Sequence, residues 1–184
     1  YKCVLYGELY TKYKQPIVEN IISFTNTKTN ILSVAGDVLV PATTTADAMG
    51  IAIARALSEN DVQIGSDINI IRTRNKTILA KYLAELFCTI LKEDLAQYAT
   101  GTNILHLSNN DIKNIKVPVP PIEIQQKIVD EIEEIEKSLF HIRNEQNTLK
   151  EQKIQVIESC FSNASQYLTI KSIADVKGGK RVPK

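Results

Sequence analysis

Tyrosines and lysines interleave near the start of the chain in a pattern suited to contact with nucleic acid. Lys12 and Lys14 stand among the tyrosines at positions 6, 10 and 13. Tyrosine rings stack on bases, and lysine ammonium groups meet phosphates. Tyrosines are equally common as half-buried residues of a strand, so both interpretations stay open at this point.

A run of three threonines, Thr43, Thr44 and Thr45, follows an apolar segment that ends at Pro41. Threonine hydroxyls bond to phosphates or base edges, and threonine methyl groups touch thymine. The small side chains would let the backbone come close to a partner. A solvated loop without a ligand explains the same run equally well.

Three cations, Arg72, Arg74 and Lys76, fall within five residues after a predicted strand. A basic cluster at the end of a strand is suited to grip the backbone of a duplex. A solvated turn of the same composition is the alternative.

The sequence contains no arrangement that predicts catalysis. Pro120-Pro121 is followed by isoleucine, whereas methylation of a base amine needs Asn or Asp before the prolines and an aromatic residue after them. Gly178-Gly179-Lys180 lacks the spacing and the following Ser or Thr of a phosphate-binding loop. No pair of nuclease carboxylates stands out among the many glutamates. We therefore expect a non-catalytic chain with no cofactor of its own.

Length and composition predict one globular domain and an extended helix. The chain has 184 residues, of which 43% are hydrophobic, and a formal net charge of +1. This charge excludes a tail that coats nucleic acid by charge alone, but it permits a local basic patch. No apolar run reaches membrane-spanning length, and no signal peptide is recognisable. Cys3, Cys88 and Cys160 are widely spaced, which favours reduced thiols over a metal site and predicts a cytoplasmic protein.

Hydrophobic patterning predicts an α/β (α+β) domain in the first two thirds of the chain. Strands are expected at 2–6, 17–24, 37–40, 51–57 and 62–71. An amphipathic helix is expected at 78–99, and Ser108 is expected to cap a short helical turn before a final strand. His106, which stands between two leucines, is predicted to be a packed residue.

The segment 118–163 predicts a long helix, because it has no proline or glycine after Pro120-Pro121. Apolar residues recur along it in steps of four and three, as in the seam of a coiled coil. The members of this seam are Ile128, Ile132, Ile135, Leu139, Ile142 and Leu149. From 125 to 160 the helix would reach roughly 50 Å at about 1.5 Å per residue. A stripe of that length needs a second helix, either in a plain dimerisation coiled coil or in a spacer between recognition modules.

The residues that lead into the helix carry a more specific pattern. Pro118, Pro120, Pro121, Gln125 and Ile128 form P-x-P-P-x-x-x-Q-x-x-I. This segment closely resembles the one that leads into the spacer helices of DNA-specificity subunits of type I restriction-modification enzymes. The segments that begin at Gly36-Asp37 and at Gly101-Thr102 also resemble that family. The resemblance implies a target-recognition domain at 1–117, lacking its usual start, and a spacer helix at 118–164 that forms an antiparallel coiled coil with a second helix.

The last residues resemble the opening of a target-recognition domain, in which a short strand leads to a glycine-rich basic turn and a proline. Lys180 and Arg181 lie in this turn. The resemblance implies that 165–184 begins a second or permuted domain. We expect the tail from Leu168 onward to complete the sheet near Tyr1, in its own chain or in a partner.

The resemblance further implies a DNA-recognition subunit that reads a half-site in the major groove and spaces two half-sites through its helix. Its implied partners are double-stranded DNA and methyltransferase subunits that use S-adenosylmethionine. A translocating restriction subunit is left open, and a homodimer is expected if the chain is a half-subunit. The candidate DNA contacts are Lys12, Lys14, Thr43, Thr44, Thr45, Arg72, Arg74, Lys180 and Arg181.

Two alternatives remain at the level of the sequence. One is the recognition portion of a fused restriction-methylation enzyme. The other is a structural coiled-coil adaptor without affinity for DNA.

Overall fold

The structure is a computed structural model that describes residues 1–45, 47–74 and 76–179. The chain divides into two compact units, Tyr1–Glu134 and Ile135–Lys184. The first unit contains all the described strands, and the second contains the later part of a long helix and the residues that follow it.

The described strands are short, and helices alternate with them. The strands are β1 (Lys2–Val4), β2 (Ile17–Val18), β3 (Ser23–Phe24), β4 (Asp37–Pro41), β5 (Thr43–Thr44), β6 (Arg55–Leu57), β7 (Gln63–Ile64), β8 (Ile68–Ile71), β9 (Thr100–Gly101) and β10 (Leu105–His106). The helices are α1 (Tyr6–Thr11), α2 (Ala48–Ile51), α3 (Ala80–Cys88), α4 (Lys92–Ala96), α5 (Asn109–Ile112), α6 (Ile122–Ser162) and α7 (Ile170–Ile173).

Strand β4 is the centre of the first unit, and all five of its residues are buried. It lies in a mixed four-stranded sheet of order β2-β6-β4-β8, in which only β2 and β6 run parallel. Among the described strands, β8 pairs only with β4 and forms one edge of this sheet. Two further three-stranded sheets have the orders β3-β1-β7 and β5-β10-β9.

The pleat of β4 divides the core into two clusters, because successive side chains of a strand point to opposite faces. Val38 and Val40 belong to the cluster that contains the buried residues of α3 and α4. Leu39 belongs to the other cluster, together with Leu9 of α1 and Leu57 of β6. The buried strand predicted at 37–40 is confirmed.

The tyrosine-lysine stretch begins with helix α1, which ends at Thr11, and the strand predicted at 2–6 ends at Val4. The tyrosines at 6, 10 and 13 are spaced by four and three residues, which suits a helix better than a strand. The rings of Tyr6 and Tyr10 meet edge to face with centroids 5.4 Å apart. At the start of the helix, the Glu8 carboxylate accepts a hydrogen bond of 2.8 Å from the Leu5 amide.

Several other predicted elements are divided or shortened in the structure, among them the strands predicted at 17–24 and 62–71, which are divided into β2 and β3 and into β7 and β8. The helix predicted at 78–99 is broken between α3 and α4, where Thr89 and Ile90 are β-branched and Ile90 is exposed. The Leu91 amide closes the break with a 2.8 Å hydrogen bond to the Leu86 carbonyl. The strand predicted at 51–57 is confined to β6, because α2 extends to Ile51.

Helix α6 begins immediately after Pro121 and has 41 residues, so the predicted long helix is confirmed. Its first turns pack on the domain through Val129, which is fully buried, and Ile128, which is partly buried against the same core. Ile128 therefore packs partly on its own domain, and its contact with a second helix stays a prediction. Farther along, Ile135, Leu139, Ile142 and Leu149 are exposed.

Gln125, the glutamine of the P-x-P-P-x-x-x-Q-x-x-I pattern, is fully buried and fastens this helix to the domain. Its side-chain oxygen accepts a 2.9 Å hydrogen bond from the Leu79 amide. Its nitrogen donates hydrogen bonds of 2.8 Å to the carbonyls of Thr77 and Pro120. The pattern thus has a structural reason, because one amide satisfies three backbone groups at the start of α3 and α6.

The described residues after Ser162 contain helix α7 and no strand, so the short strand predicted there is wrong. The amides of Ser172 and Ala174 bond locally, to the carbonyls of Thr169 and Ile170. The expectation that the tail completes the sheet near Tyr1, in its own chain or in a partner, stays a prediction. Among the described helices, none is both long enough and apolar enough to cross a membrane.

Candidate nucleic-acid interface

The small sheet β5-β10-β9 presents three polar side chains on one face. His106 of β10 stands opposite Thr43 of β5 and Thr100 of β9. Residues directly opposite one another in antiparallel strands point to the same side of the sheet. His106 and Thr100 are exposed and Thr43 is half-buried. We call this surface, Thr43, Thr100 and His106, the polar sheet face.

The other side of the same sheet is turned to the protein interior. It carries Thr44, which is 2% exposed, and half-buried Leu105, and Leu107 just beyond β10 belongs to the core. The burial of Thr44 contradicts the prediction that it contacts DNA, and the alternation of side chains along a strand is the cause. Thr45, just beyond β5, is exposed.

The hairpin between β9 and β10 is fixed in shape. Gly101 has a φ of +141°, and a Cβ added there would overlap the Ile104 carbonyl oxygen, so only glycine fits. Beyond β10, the Leu107 amide donates a 2.8 Å hydrogen bond to the Ala42 carbonyl. The buried side chain of Asn69 donates to the Leu107 carbonyl at 3.0 Å. These contacts tie the base of the hairpin to β8 and to the start of β5.

Tyr10 supports this sheet from α1. Its hydroxyl donates a 2.9 Å hydrogen bond to the Thr43 carbonyl. Burial raises the pKa of Tyr10 above its ordinary value, so the phenol keeps its proton and remains a donor at neutral pH. Tyr10 is therefore an anchor for β5 rather than a free ring for stacking on bases.

The two lysines of the first stretch have different surroundings. The Lys12 ammonium lies 2.7 Å from the Glu8 carboxylate and 2.9 Å from the Ser23 hydroxyl. Burial would raise the pKa of Glu8, but hydrogen bonds from Lys12, Ser23 and the Leu5 amide together hold it below the ordinary value. Lys14 is exposed and donates a 2.8 Å hydrogen bond to the Tyr10 carbonyl. Of the two, Lys14 is the better placed to reach a phosphate.

Arg72 is engaged inside the domain. Its Nε and Nη2 atoms donate to the two carboxylate oxygens of Asp37 at 2.8 and 2.7 Å, and the Asp37 side chain is fully buried. Nη2 also donates to the Leu32 carbonyl at 3.0 Å. The hydrogen bond to Asp37 raises the pKa of Arg72. Arg72 directly follows β8, so this ion pair ties the end of β8 to β4. The predicted DNA contact of Arg72 stays a prediction.

A depression of about 620 Å³ opens between β8, α3 and α5. Its floor is apolar, with Ile70, Phe87 and Ile112 among the lining side chains. Arg74 and Lys113, both exposed, line it as well. We call these two residues the basic rim. They are suited to hold phosphates, while the apolar floor is not.

Sequence reasoning missed two residues of the candidate interface, His106 on the polar sheet face and Lys113 on the basic rim. His106 is exposed, so the prediction that it is a packed residue is wrong. The alternation Leu105-His106-Leu107 was the available signal, because a strand that buries Leu107 turns His106 outward. Lys113 has no such signal, since the fold alone brings it to the same depression as Arg74.

The remaining features are two candidate DNA contacts at the end of the chain, the possibility of a metal site, and the cysteines. Lys180 and Arg181 lie outside the described residues. Within the described part of the chain, no group of His, Cys, Asp and Glu side chains is arranged to hold a metal ion. Cys3 is buried, Cys88 is half-buried and Cys160 is exposed, and all three are free thiols.

A family model described as the type I restriction modification DNA specificity domain matches residues 6–159. The chain belongs to this family. The match includes every described strand except β1 and nearly all of α6, so the resemblance read from the helix-leading prolines is confirmed. A comparison with curated proteins gives no match.

A solved structure has the same fold as the specificity domain. It comes from work on the complex assembly and conformational transition of the type I R-M system. The identity is 18% and the TM-score is 0.54, over 68% of this chain and 29% of the other. The specificity domain thus spans less than a third of the length of that relative.

Proposed function

We propose that this specificity domain binds duplex DNA, reads one half-site in the major groove, and uses its long helix to set the distance to a second half-site. The observation that carries the proposal is the family match over 6–159, which treats the sheet domain and the helix as one unit. Because the matched range includes α6 as well as the sheets, we assign the helix a part in the same function.

Contact with the DNA backbone falls to cations outside the internal ion pairs. Lys14 and the basic rim are exposed and lie in the sheet domain. Such contacts fix register on the duplex and carry no sequence information. The net charge of +1 supports local contact at these residues over coating by general charge.

Spacing of the half-sites falls to the exposed seam of α6. Ile135, Leu139, Ile142 and Leu149 are all apolar and exposed, and side chains at coiled-coil spacing are covered by a second helix. An antiparallel pairing, either with a second copy or with a second helix of a longer chain, would place one recognition domain toward each end. The DNA target would then have two specified parts around an unspecified middle.

The chemistry on the DNA falls to other polypeptides. Methyltransferase subunits that bind S-adenosylmethionine would modify the bases, and a translocating restriction subunit would cut. The specificity domain would select the DNA site and supply no catalytic group.

The test is fluorescence anisotropy with a labelled mixture of random duplexes over a series of salt concentrations. The wild-type chain should bind more weakly as salt rises, with a slope of about 0.9 per phosphate contact on logarithmic axes. The double variant Arg74→Ala/Lys113→Ala should bind more weakly at every concentration and lower that slope by about 2.

The control for this test is Arg143→Ala/Lys92→Ala, which removes the same two charges from residues that do not line the depression. It should match the wild type. A wild-type chain that ignores every duplex, alone and with a methyltransferase subunit, would overturn the proposal. A rim variant that behaves like the control would remove only the rim from it.

A further inference from the structure

We infer that His106 contacts the edge of a base pair in the major groove, so that the polar sheet face is a base-reading surface of the domain. The inference rests on the proposed function, since it assumes that the domain docks on duplex DNA. It assigns a role to a residue that the sequence predicted to be packed.

His106 lies on the middle strand of the small sheet. Strand β10 is the middle strand of β5-β10-β9, so His106 has a partner strand on either side. Its two opposite neighbours are Thr43 and Thr100, whose side chains are shorter than an imidazole. The ring therefore stands above its neighbours at the centre of the face.

The chemistry of the face suits bases better than phosphates. Hydroxyls of Thr43 and Thr100 and the imidazole of His106 supply donors and acceptors, which match the patterns that base pairs display in the major groove. Threonine methyl groups add a surface for the methyl of thymine. The guanidinium and ammonium groups suited to phosphates lie elsewhere, on the basic rim.

The size and stiffness of the hairpin also fit the groove. A major groove about 12 Å wide admits a two-stranded ribbon, and β9 and β10 form such a ribbon with residues 102–104 exposed at its tip. Gly101 makes the turn tight, and the Tyr10 hydroxyl holds β5 from behind through the Thr43 carbonyl. A reading group needs this support, because discrimination between bases depends on fixed geometry.

The experiment is selection of bound duplexes from a random library, followed by sequencing of the bound fraction. The wild-type chain should enrich a defined site. His106→Ala should relax the preference at one base-pair position by at least about fivefold, as expected for loss of a base-edge contact, and leave the other positions unchanged. His106→Gln keeps a donor and an acceptor on a different frame, so it should change the preferred base at that same position.

His141→Ala is the matched control, because His141 is the other histidine of the chain and lies on α6. It should enrich the wild-type site. Wild-type sites from both His106 variants would overturn the inference and leave the proposed function standing. Uniform loss of selectivity at every position in both variants would also overturn it, since that marks a structural role. Failure of the wild-type chain to enrich any site would count against the proposed function itself.

Discussion

Several charged and amide side chains of this domain donate their hydrogen bonds to its own backbone. The buried Arg55 guanidinium donates to the carbonyls of Tyr13, Leu9 and Ala54 at 2.7, 3.2 and 2.8 Å. Burial lowers the pKa of Arg55, although the group stays charged at any physiological pH. Residue type alone would suggest a nucleic-acid contact for such an arginine. Its hydrogen bonds to the carbonyls of Leu9 and Tyr13 instead hold α1 and the residues just after it against β6.

The ion pair of Arg72 with Asp37 predicts a measurable contribution of this arginine to stability. Arg72→Ala would leave the Asp37 carboxylate buried without its cation, so we expect a loss of about 1–3 kcal/mol in the free energy of unfolding. We use a range below that of a fully buried pair because half of the Arg72 side chain is exposed to solvent. Urea denaturation followed by circular dichroism measures the loss.

Arg74→Ala is the control for that variant, because it removes the same side chain two residues along the chain. Its stability should lie within about 0.5 kcal/mol of the wild type, as for an ordinary surface substitution. Equal stability of the two variants would contradict the structural role of Arg72. Charge reversal of both arginines together would mix unfolding with lost DNA contact, so Arg74 is the residue to use in binding experiments.

Helices and strands could be predicted from the sequence where their signal is local, and could not where they depend on a distant partner. Strand β4 and helix α6 were predictable, because a continuous apolar run and a long stretch without proline or glycine act locally. The Ser108 cap was predictable for the same reason, and its hydroxyl accepts from the Asp111 amide. The two-residue strands were not, since pairing with a distant partner defines them and propensity does not.

The attachment of α6 depends on Gln125, and a pair of neighbouring glutamines tests it. Gln125→Leu would remove the hydrogen bonds that this side chain makes with the Leu79 amide and with the carbonyls of Thr77 and Pro120. We expect a loss of about 2–4 kcal/mol, from the cost of unsatisfied buried polar groups. Gln126→Leu, at an exposed position, should change stability by no more than about 0.5 kcal/mol. Superimposed urea curves for the two variants would show that the Gln125 hydrogen bonds do not hold the helix.

At the scale of the whole chain, the sequence predicted a recognition domain followed by a long helix, together with candidate contact residues. Lys14, Thr45 and Arg74 are exposed as expected. The ion pair of Arg72 with Asp37 could not be predicted, because the two residues lie 35 positions apart. The burial of Thr44 could not be predicted either, because it depends on which side of a two-residue strand the side chain occupies. The second helix that would cover the exposed seam of α6 stays a prediction.

Self-association through the seam is the prediction that belongs to this scale. The wild-type chain should sediment as a dimer at micromolar concentration if a second copy supplies the second helix. Ile142→Lys/Leu149→Lys places two ammonium groups in the seam, and analytical ultracentrifugation should then find a monomer, because charge in a buried seam is costly.

Asn144→Lys/Asn147→Lys adds the same charge on the other side of the helix and should remain dimeric. Two lysine variants that sediment alike would show that the seam does not mediate association. A monomeric wild type would indicate that the second helix comes from a longer chain rather than from a copy.

The open side of β8 has a practical consequence for such measurements. A strand with isoleucines at positions 68, 70 and 71 and a free edge can recruit the same strand of another molecule, which is a route to aggregation. The arginines at 72 and 74 follow this strand directly, and positive charge beside an edge discourages such stacking. Neutral variants at these positions therefore need a check for soluble oligomers before weaker binding is attributed to a missing phosphate contact.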